Sequence, residues 1–129
     1  MKRRIISSAH APQAIGSYSQ AVASGDFVFV SGQIPLCPQR MQIVGTGIEA
    51  QARQTFDNLQ AIASAADATL DDAVKINISM TDLQGFSVVN DVMAEYFSTP
   101  YPARACVQVA ALPKGALIEI EAVLEKRGR

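Results

Sequence analysis

The run Val74-Lys75-Ile76-Asn77-Ile78-Ser79-Met80-Thr81 alternates apolar and polar residues without a break. Successive side chains on a strand point to opposite faces, so this run predicts a strand with one greasy face and one wet one. Something apolar must cover the greasy face, and the flanking sequence supplies two candidates. Before the run, Ala52, Phe56, Leu59, Ile62, Ala63 and Ala66 recur at spacings of three and four, while Gln51, Arg53, Gln54, Asp57, Asn58 and Gln60 occupy the opposite side of the same helix. After it, Phe86, Val89, Met93, Tyr96 and Phe97 fit helical spacing again, and Pro100 and Pro102 close that helix.

The remaining strand signals lie outside these helices. Arg3 to Ile6 and Ser19 to Ala23 read as strands, Ser24-Gly25-Asp26 as a turn, and Phe27-Val28-Phe29-Val30-Ser31 as a buried strand that Gly32-Gln33-Ile34-Pro35 stops. The stretch to Gly47 reads as a long surface loop. Thr46 and Glu49 have capping-box spacing for the first helix, and Asp82 can cap the second, just after the alternating strand. Two further strands, Tyr101 to Val109 and Leu117 to Leu124, joined by Ala110 to Gly115, read as a closing hairpin. The order predicts an α/β (α+β) fold, a mixed sheet with both helices on one face. The other face would carry Lys75, Asn77, Ser79, the Phe27 strand and one side of the last two strands. That surface is too apolar to leave in water, so a homo-oligomer with sheet packed on sheet, and ligand clefts between subunits, is expected.

The 129 residues, 49% of them hydrophobic, suffice for one domain spanning 1–129. Net charge is -1, yet Lys2, Arg3, Arg4, Lys126, Arg127 and Arg129 crowd the ends, leaving an acidic body. Only the ends could form a nucleic-acid surface. Cys37 and Cys106 are far apart and lack metal-ligand spacing, which points to reduced thiols in a cytoplasmic protein and to no metal site. Ile5-Ile6 is too short an apolar run for a signal peptide or a membrane span, and the lone His10 reads as a loop residue.

Chemistry centres on Arg104, within Tyr101-Pro102-Ala103-Arg104-Ala105-Cys106-Val107-Gln108-Val109, where no neighbouring acid neutralises it. A guanidinium keeps its proton, and burying it costs several kcal/mol unless an anion meets it. The anion is either Glu119, in Leu117-Ile118-Glu119-Ile120-Glu121-Ala122-Val123-Leu124, or a ligand carboxylate. Arg104, Cys106 and Gln108 share one strand face, as do Glu119 and Glu121. A hairpin register with Gln108 opposite Glu119 would bring both faces together. A structural ion pair and a carboxylate-gripping site are both compatible with this spacing. Among weaker candidates, Tyr18 fits a pocket rim or simple packing, and Ser31-Gly32-Gln33 fits a polar-ligand cradle or a turn. Cys106 has no nearby base to make it a nucleophile, so its backbone groups matter more than its sulfur.

Taken in order, Ala14-Ile15-Gly16-Ser17-Tyr18-Ser19-Gln20-Ala21, Ser31-Gly32-Gln33-Ile34-Pro35, Gln51-Ala52-Arg53-Gln54, Pro102-Ala103-Arg104-Ala105-Cys106-Val107 and Ile118-Glu119-Ile120-Glu121-Ala122 resemble the YjgF-type Rid family of enamine/imine deaminases, from about Ala11 to Val123. The resemblance implies a chorismate-mutase-like fold and a homotrimer whose sheets face a central barrel, with three intersubunit clefts. It implies hydrolysis of 2-aminoacrylate and 2-iminobutyrate, products of pyridoxal-phosphate-dependent dehydratases, to 2-keto acids and ammonia without a cofactor. By the same likeness Arg104 matches the carboxylate-binding arginine and Glu119 the water-activating glutamate. Tyr18, Ser31 with the adjoining Gly32, Asn90 and Cys106 match substrate-binding positions. An apolar wall around Glu119 is expected to raise its pKa. Three departures bear on pocket width: a shorter Ser98-Thr99-Pro100-Tyr101-Pro102-Ala103 segment, Ser17 in place of a usual proline, and Gln108 in place of a frequent glutamate. Rival expectations are a ribonuclease or translation inhibitor, and a non-catalytic sensor of small carboxylates.

Overall fold

In the computed structural model, which describes residues 2–126, the alternating run forms strand β4, Ala73–Met80. Five other strands flank it, β1 Arg4–Ile6, β2 Ala21–Ser24, β3 Phe27–Gln33, β5 Ala103–Gln108 and β6 Ile118–Glu125, with helices α1 Ile48–Ala65 and α2 Phe86–Tyr96. Arg127 and Arg129, counted above among the basic ends, lie outside the described residues. The sheet runs β1-β2-β3-β6-β4-β5. Every pair is antiparallel except β4 with β5, which is parallel.

Ile76, Ile78 and Met80 of β4 face the helices and are buried, together with Val28 of β3 and Ile118, Ile120 and Leu124 of β6. Phe56, Leu59 and Ile62 of α1 and Val89 and Val92 of α2 close over them. Each such side chain contributes roughly 1.5–3 kcal/mol relative to exposure. The helices join through Phe56, whose ring stacks on Tyr96 at 5.2 Å and meets the edge of Phe97 at 5.8 Å.

Four sequence expectations are corrected. The closing hairpin does not form: β6 inserts between β3 and β4, and β5 lies on the far side of β4. The physical reason lies in the connections, because α2 between β4 and β5 is the crossover that parallel strands require. Helix α1 begins at Ile48 behind Gly47, with no side-chain cap, so the Thr46–Glu49 capping box is absent. Glu49 instead pairs with Arg53 one turn along, at 3.1 Å. Strand β3 continues through Gly32 to Gln33, with a register shift against β6 between Val30 and Gln33. Finally, Gln51 and Asn58, placed on the wet side of α1, are buried. They staple loops to the helix: Asn58 Nδ2 donates to the carbonyls of Ile34 (3.2 Å) and Leu36 (3.0 Å), while Gln51 Oε1 accepts from Leu117 N–H at 2.9 Å.

Both helices lie on one face, as expected. Across the other face, register aligns Ile5, Val22, Phe29, Val123, Lys75 and Ala103 in one row through all six strands. Phe29 is 49% exposed and Val107, further along that face, 52%. No helix of the described residues is long and apolar enough to cross a membrane.

Candidate functional site

Arg104 stands on β5, opposite Ile76 of β4, and so on the helix side of the sheet. Its chain is at the sheet edge and exposed rather than buried, which removes the desolvation cost anticipated from sequence. Helix α2 supplies its partners. Arg104 Nη1 donates to Asn90 Oδ1 at 2.7 Å and lies 3.7 Å from Met93 Sδ, and the guanidinium carbon sits 4.8 Å from the centre of the Phe86 ring. All three are neutral, and among the described residues no carboxylate pairs with Arg104. The cation-π contact and the single amide acceptor orient the guanidinium while leaving most of its donors for another acceptor. Beside it opens a cavity of ≈ 310 Å³ walled by Asn90, Met93, Ala94, Tyr101 and Pro102.

The same edge carries backbone functionality. Val109 N–H donates to the Met80 carbonyl at 2.8 Å, so the odd residues of β5 face β4. By strand alternation the amides and carbonyls of Arg104, Cys106 and Gln108 point away from it, along a free edge. The Cys106 sulfur lies 3.7 Å from Met80 Sδ, and burial pushes the thiol's pKa up against a smaller lowering by Arg104. A thiol so held is a poor nucleophile.

Glu119 occupies the other face. It pairs across β6–β4 with Ser79, which is paired in turn with Val107, on the uncovered side of the sheet. The register that would have joined Glu119 to Arg104 requires the hairpin that does not form. Within one chain, therefore, the sheet separates guanidinium from carboxylate. Around Glu119 lies a second cavity of ≈ 500 Å³, to which Tyr18, Ser31, Gly32, Lys114 and Glu121 contribute.

Local structure explains how that hollow is held open. At the β3 irregularity Gly32 passes so close that a Cβ there would stand 2.9 Å from Glu119 Cδ, so the carboxylate holds this position only because residue 32 has no side chain. Ser31 Oγ donates to the Ser19 carbonyl at 2.6 Å, leaving its lone pairs to accept. Tyr18 is half-exposed at the rim, its hydroxyl accepting from Ile15 N–H at 3.4 Å, so its own proton is available to donate. The buried Gln20 moors the wall: Oε1 accepts from Ser8 N–H at 2.6 Å, and Nε2 donates to the carbonyls of Ser8 (3.1 Å) and Pro12 (2.7 Å). No hydrogen bond to the Glu119 carboxylate occurs among the described residues. Its pKa is raised, chiefly by burial and secondarily by the negative Glu121 two residues on.

The structure thus gathers Tyr18, Ser31, Gly32 and Glu119 in one hollow, and Asn90, Cys106 and Arg104 at one edge. It brings in residues that sequence reasoning missed. Phe86 and Met93 had been read only as the stripe of α2, and Gln20 only as part of a motif. Lys114 had no role, although Pro113-Lys114-Gly115 carries two successive positive φ angles, 57° and 71°. Chemically, one half offers a fixed cation and edge amides suited to a planar anion. The other offers a partly desolvated carboxylate beside neutral hydroxyls, a group able to take and return a proton.

Comparison with known proteins places this geometry in context. The family model described as endoribonuclease L-PSP matches residues 8–126. The chain is 46% identical over 121 residues to the human 2-iminobutanoate/2-iminopropanoate deaminase, covering 94% of this chain and 88% of the human protein. Among solved structures, RidA from the Antarctic bacterium Psychrobacter sp. PAMC 21119 superposes with a TM-score of 0.91 at 50% identity, over 95% of this chain and 98% of that one. TdcF of E. coli with bound serine superposes with a TM-score of 0.89 at 43% identity, over 95% and 98%.

Proposed function

The chain belongs to the RidA/YjgF/L-PSP family, and from that premise we propose that it is a hydrolytic deaminase of 2-imino and 2-enamino acids, 2-iminobutanoate and 2-iminopropanoate among them, yielding 2-keto acids and ammonia. The observation that carries this reading is Arg104, an exposed guanidinium held beside a cavity by neutral groups alone. Such a cation is complementary to a carboxylate brought from outside, where each charge-assisted hydrogen bond contributes about 1.5–3 kcal/mol. Similarity to a protein seen with serine, itself a small 2-substituted carboxylate, agrees with that choice of anion.

Because Arg104 and Glu119 lie on opposite faces of one sheet, the complete site needs two copies. The edge of one would meet the Glu119 hollow of the next, in the homotrimer that also covers the apolar open face, sheets inward around a central barrel in the chorismate-mutase-like manner. Arg104 then fixes the substrate carboxylate and sets C2 beside a water held by Glu119 and the edge carbonyl of Cys106. Glu119 takes a proton from that water as oxygen attacks C2, giving a carbinolamine. It returns that proton to nitrogen, and as the carbonyl forms Glu119 takes up the hydroxyl proton and ammonia leaves, so both protons of the water are accounted for. The supply of substrate points to pyridoxal-phosphate-dependent dehydratases of serine and threonine as functional partners.

The test couples such a dehydratase to this protein and follows imine decay with 2-keto acid appearance. Wild type accelerates both, and Arg104→Ala, with an unchanged circular dichroism spectrum, gives the uncatalysed rate. Equal acceleration by the folded variant would overturn the reading. The family description favours one alternative, cleavage of RNA. Arg4 and Lys126 do lie toward one end of the sheet, three strands apart, but His10 is exposed and is not among the residues that line the Glu119 hollow. Tight RNA binding at physiological salt, lost on removing Lys2, Arg3 and Arg4, would support that alternative.

A further inference from the structure

The sheet's open face holds a second carboxylate that the mechanism above does not use. Glu121 stands two residues from Glu119 on β6, about 7 Å along the strand and on the same side. Unlike Glu119 it has a firm partner: Asn77, its register neighbour on β4, donates from Nδ2 to Glu121 Oε1 at 3.0 Å. That hydrogen bond fixes the Glu121 carboxylate on the face it shares with Glu119.

We infer that Asn77 and Glu121 form a positioning pair for Glu119, a carboxylate pinned on the same strand face and lining the same hollow as the base. This rests on the reading of Glu119 as the base. Within one chain, Glu121 and Lys114 are the charged groups that line the hollow with Glu119. Strand β3 contributes Ser31 and Gly32, β4 contributes Ser79 and, further off, Lys75, the N-terminal loop contributes Tyr18, and the turn before β6 contributes Lys114. Only Glu121 accompanies burial in raising the carboxyl's pKa. Lys114 at the rim and, in the proposed two-copy site, Arg104 of the next copy are the opposing charges against which Glu121 acts.

Glu121→Gln tests the pair, since it keeps an acceptor for Asn77 and removes the charge. As base, Glu119 works only when ionised, so the rate rises with pH through its pKa. Without the Glu121 charge that limb should move to lower pH, giving the variant a larger fraction of its plateau rate at acid pH, while the plateau itself falls because a weaker base remains. Asn77→Ala should move the limb the same way by less. The second readout is the ¹³C titration of the Glu119 carboxyl in glutamate-labelled protein, assigned with Glu119→Gln. Superimposable titrations in wild type, Glu121→Gln and Asn77→Ala would overturn the pairing. An unchanged hydrolysis rate in Glu119→Gln would instead remove the base assignment on which it rests, whatever the titrations give.

Discussion

The Arg104 edge and the Glu119 hollow are built by opposite strategies. At the edge, an exposed cation lies on a strand with free backbone groups, steadied by one amide acceptor and one aromatic face from α2. In the hollow, a partly buried carboxylate projects from β6, a strand paired on both sides, with a glycine cleared away beneath it and a hydrogen-bonded loop for a wall. A guanidinium keeps its charge wherever it sits, so it needs aim and accessibility. A carboxylate that must exchange protons needs its surroundings adjusted, and desolvation beside a like charge does that. On the proposed mechanism, binding falls to the periphery of the fold and proton transfer to a strand at its centre.

The sharpest way to break this division is to compare the two single losses. Arg104→Ala should reduce kcat/KM by about 10²- to 10⁴-fold, matching two lost charge-assisted hydrogen bonds, and should abolish binding of a 2-keto acid measured by calorimetry. Glu119→Gln should lower kcat by a similar ~10²- to 10⁴-fold while leaving that binding nearly intact. A sensor would give the second variant no phenotype. If both variants lost binding equally, the edge and the hollow would not be distinct in task.

The same contrast governs what could be read from sequence. Alternation in Val74–Thr81 and the stripes of Phe56 and Val89 revealed β4, α1 and α2 because each residue's burial follows from its own local period. The partner of β6 was not local information. Glu119 and Arg104 each sat on the strand expected, but whether their faces coincide depends on which strands become neighbours, and β5 went to β4 through α2. The buried amides Gln20, Gln51 and Asn58 were illegible for a related reason. A polar side chain in a helical or strand pattern is assigned to water unless one knows that a loop carbonyl will come to meet it, as those of Ile34, Leu36 and Pro12 do. Gly32 was noticed as part of a motif, yet its physical role, room for a carboxyl from another strand, becomes visible only with the register.

A milder perturbation sharpens the comparison inside the hollow. Gly32→Ala adds a methyl 2.9 Å from Glu119 Cδ, too close to coexist, but Glu119 is flexible at that end and residue 32 does not require a left-handed backbone. The carboxylate should swing aside with little cost to folding. A displacement near 1 Å is expected to lower kcat by about 10²-fold, with substrate binding through Arg104 retained and Tm nearly unchanged. A large fall in Tm would show that the close approach serves packing instead.

The smallest effect on turnover is expected where the wall is moored. Gln20→Leu preserves the side-chain volume but leaves the Ser8 amide and the Ser8 and Pro12 carbonyls without their partner. Unpaired polar groups in a half-buried loop cost about 1–3 kcal/mol, a Tm lower by roughly 3–15 °C for a chain of this size. The loop bearing Tyr18 should loosen while Gly32, Glu119 and Glu121 stay fixed by the sheet, so KM should rise by about 2- to 5-fold with kcat little altered. At the Arg104 edge, which Gln20 does not touch, the affinity for a simple carboxylate should be unchanged. A fall in kcat as large as that of Gly32→Ala would mean that the loop, rather than the strand and its neighbouring glycine, determines where the Glu119 carboxylate stands.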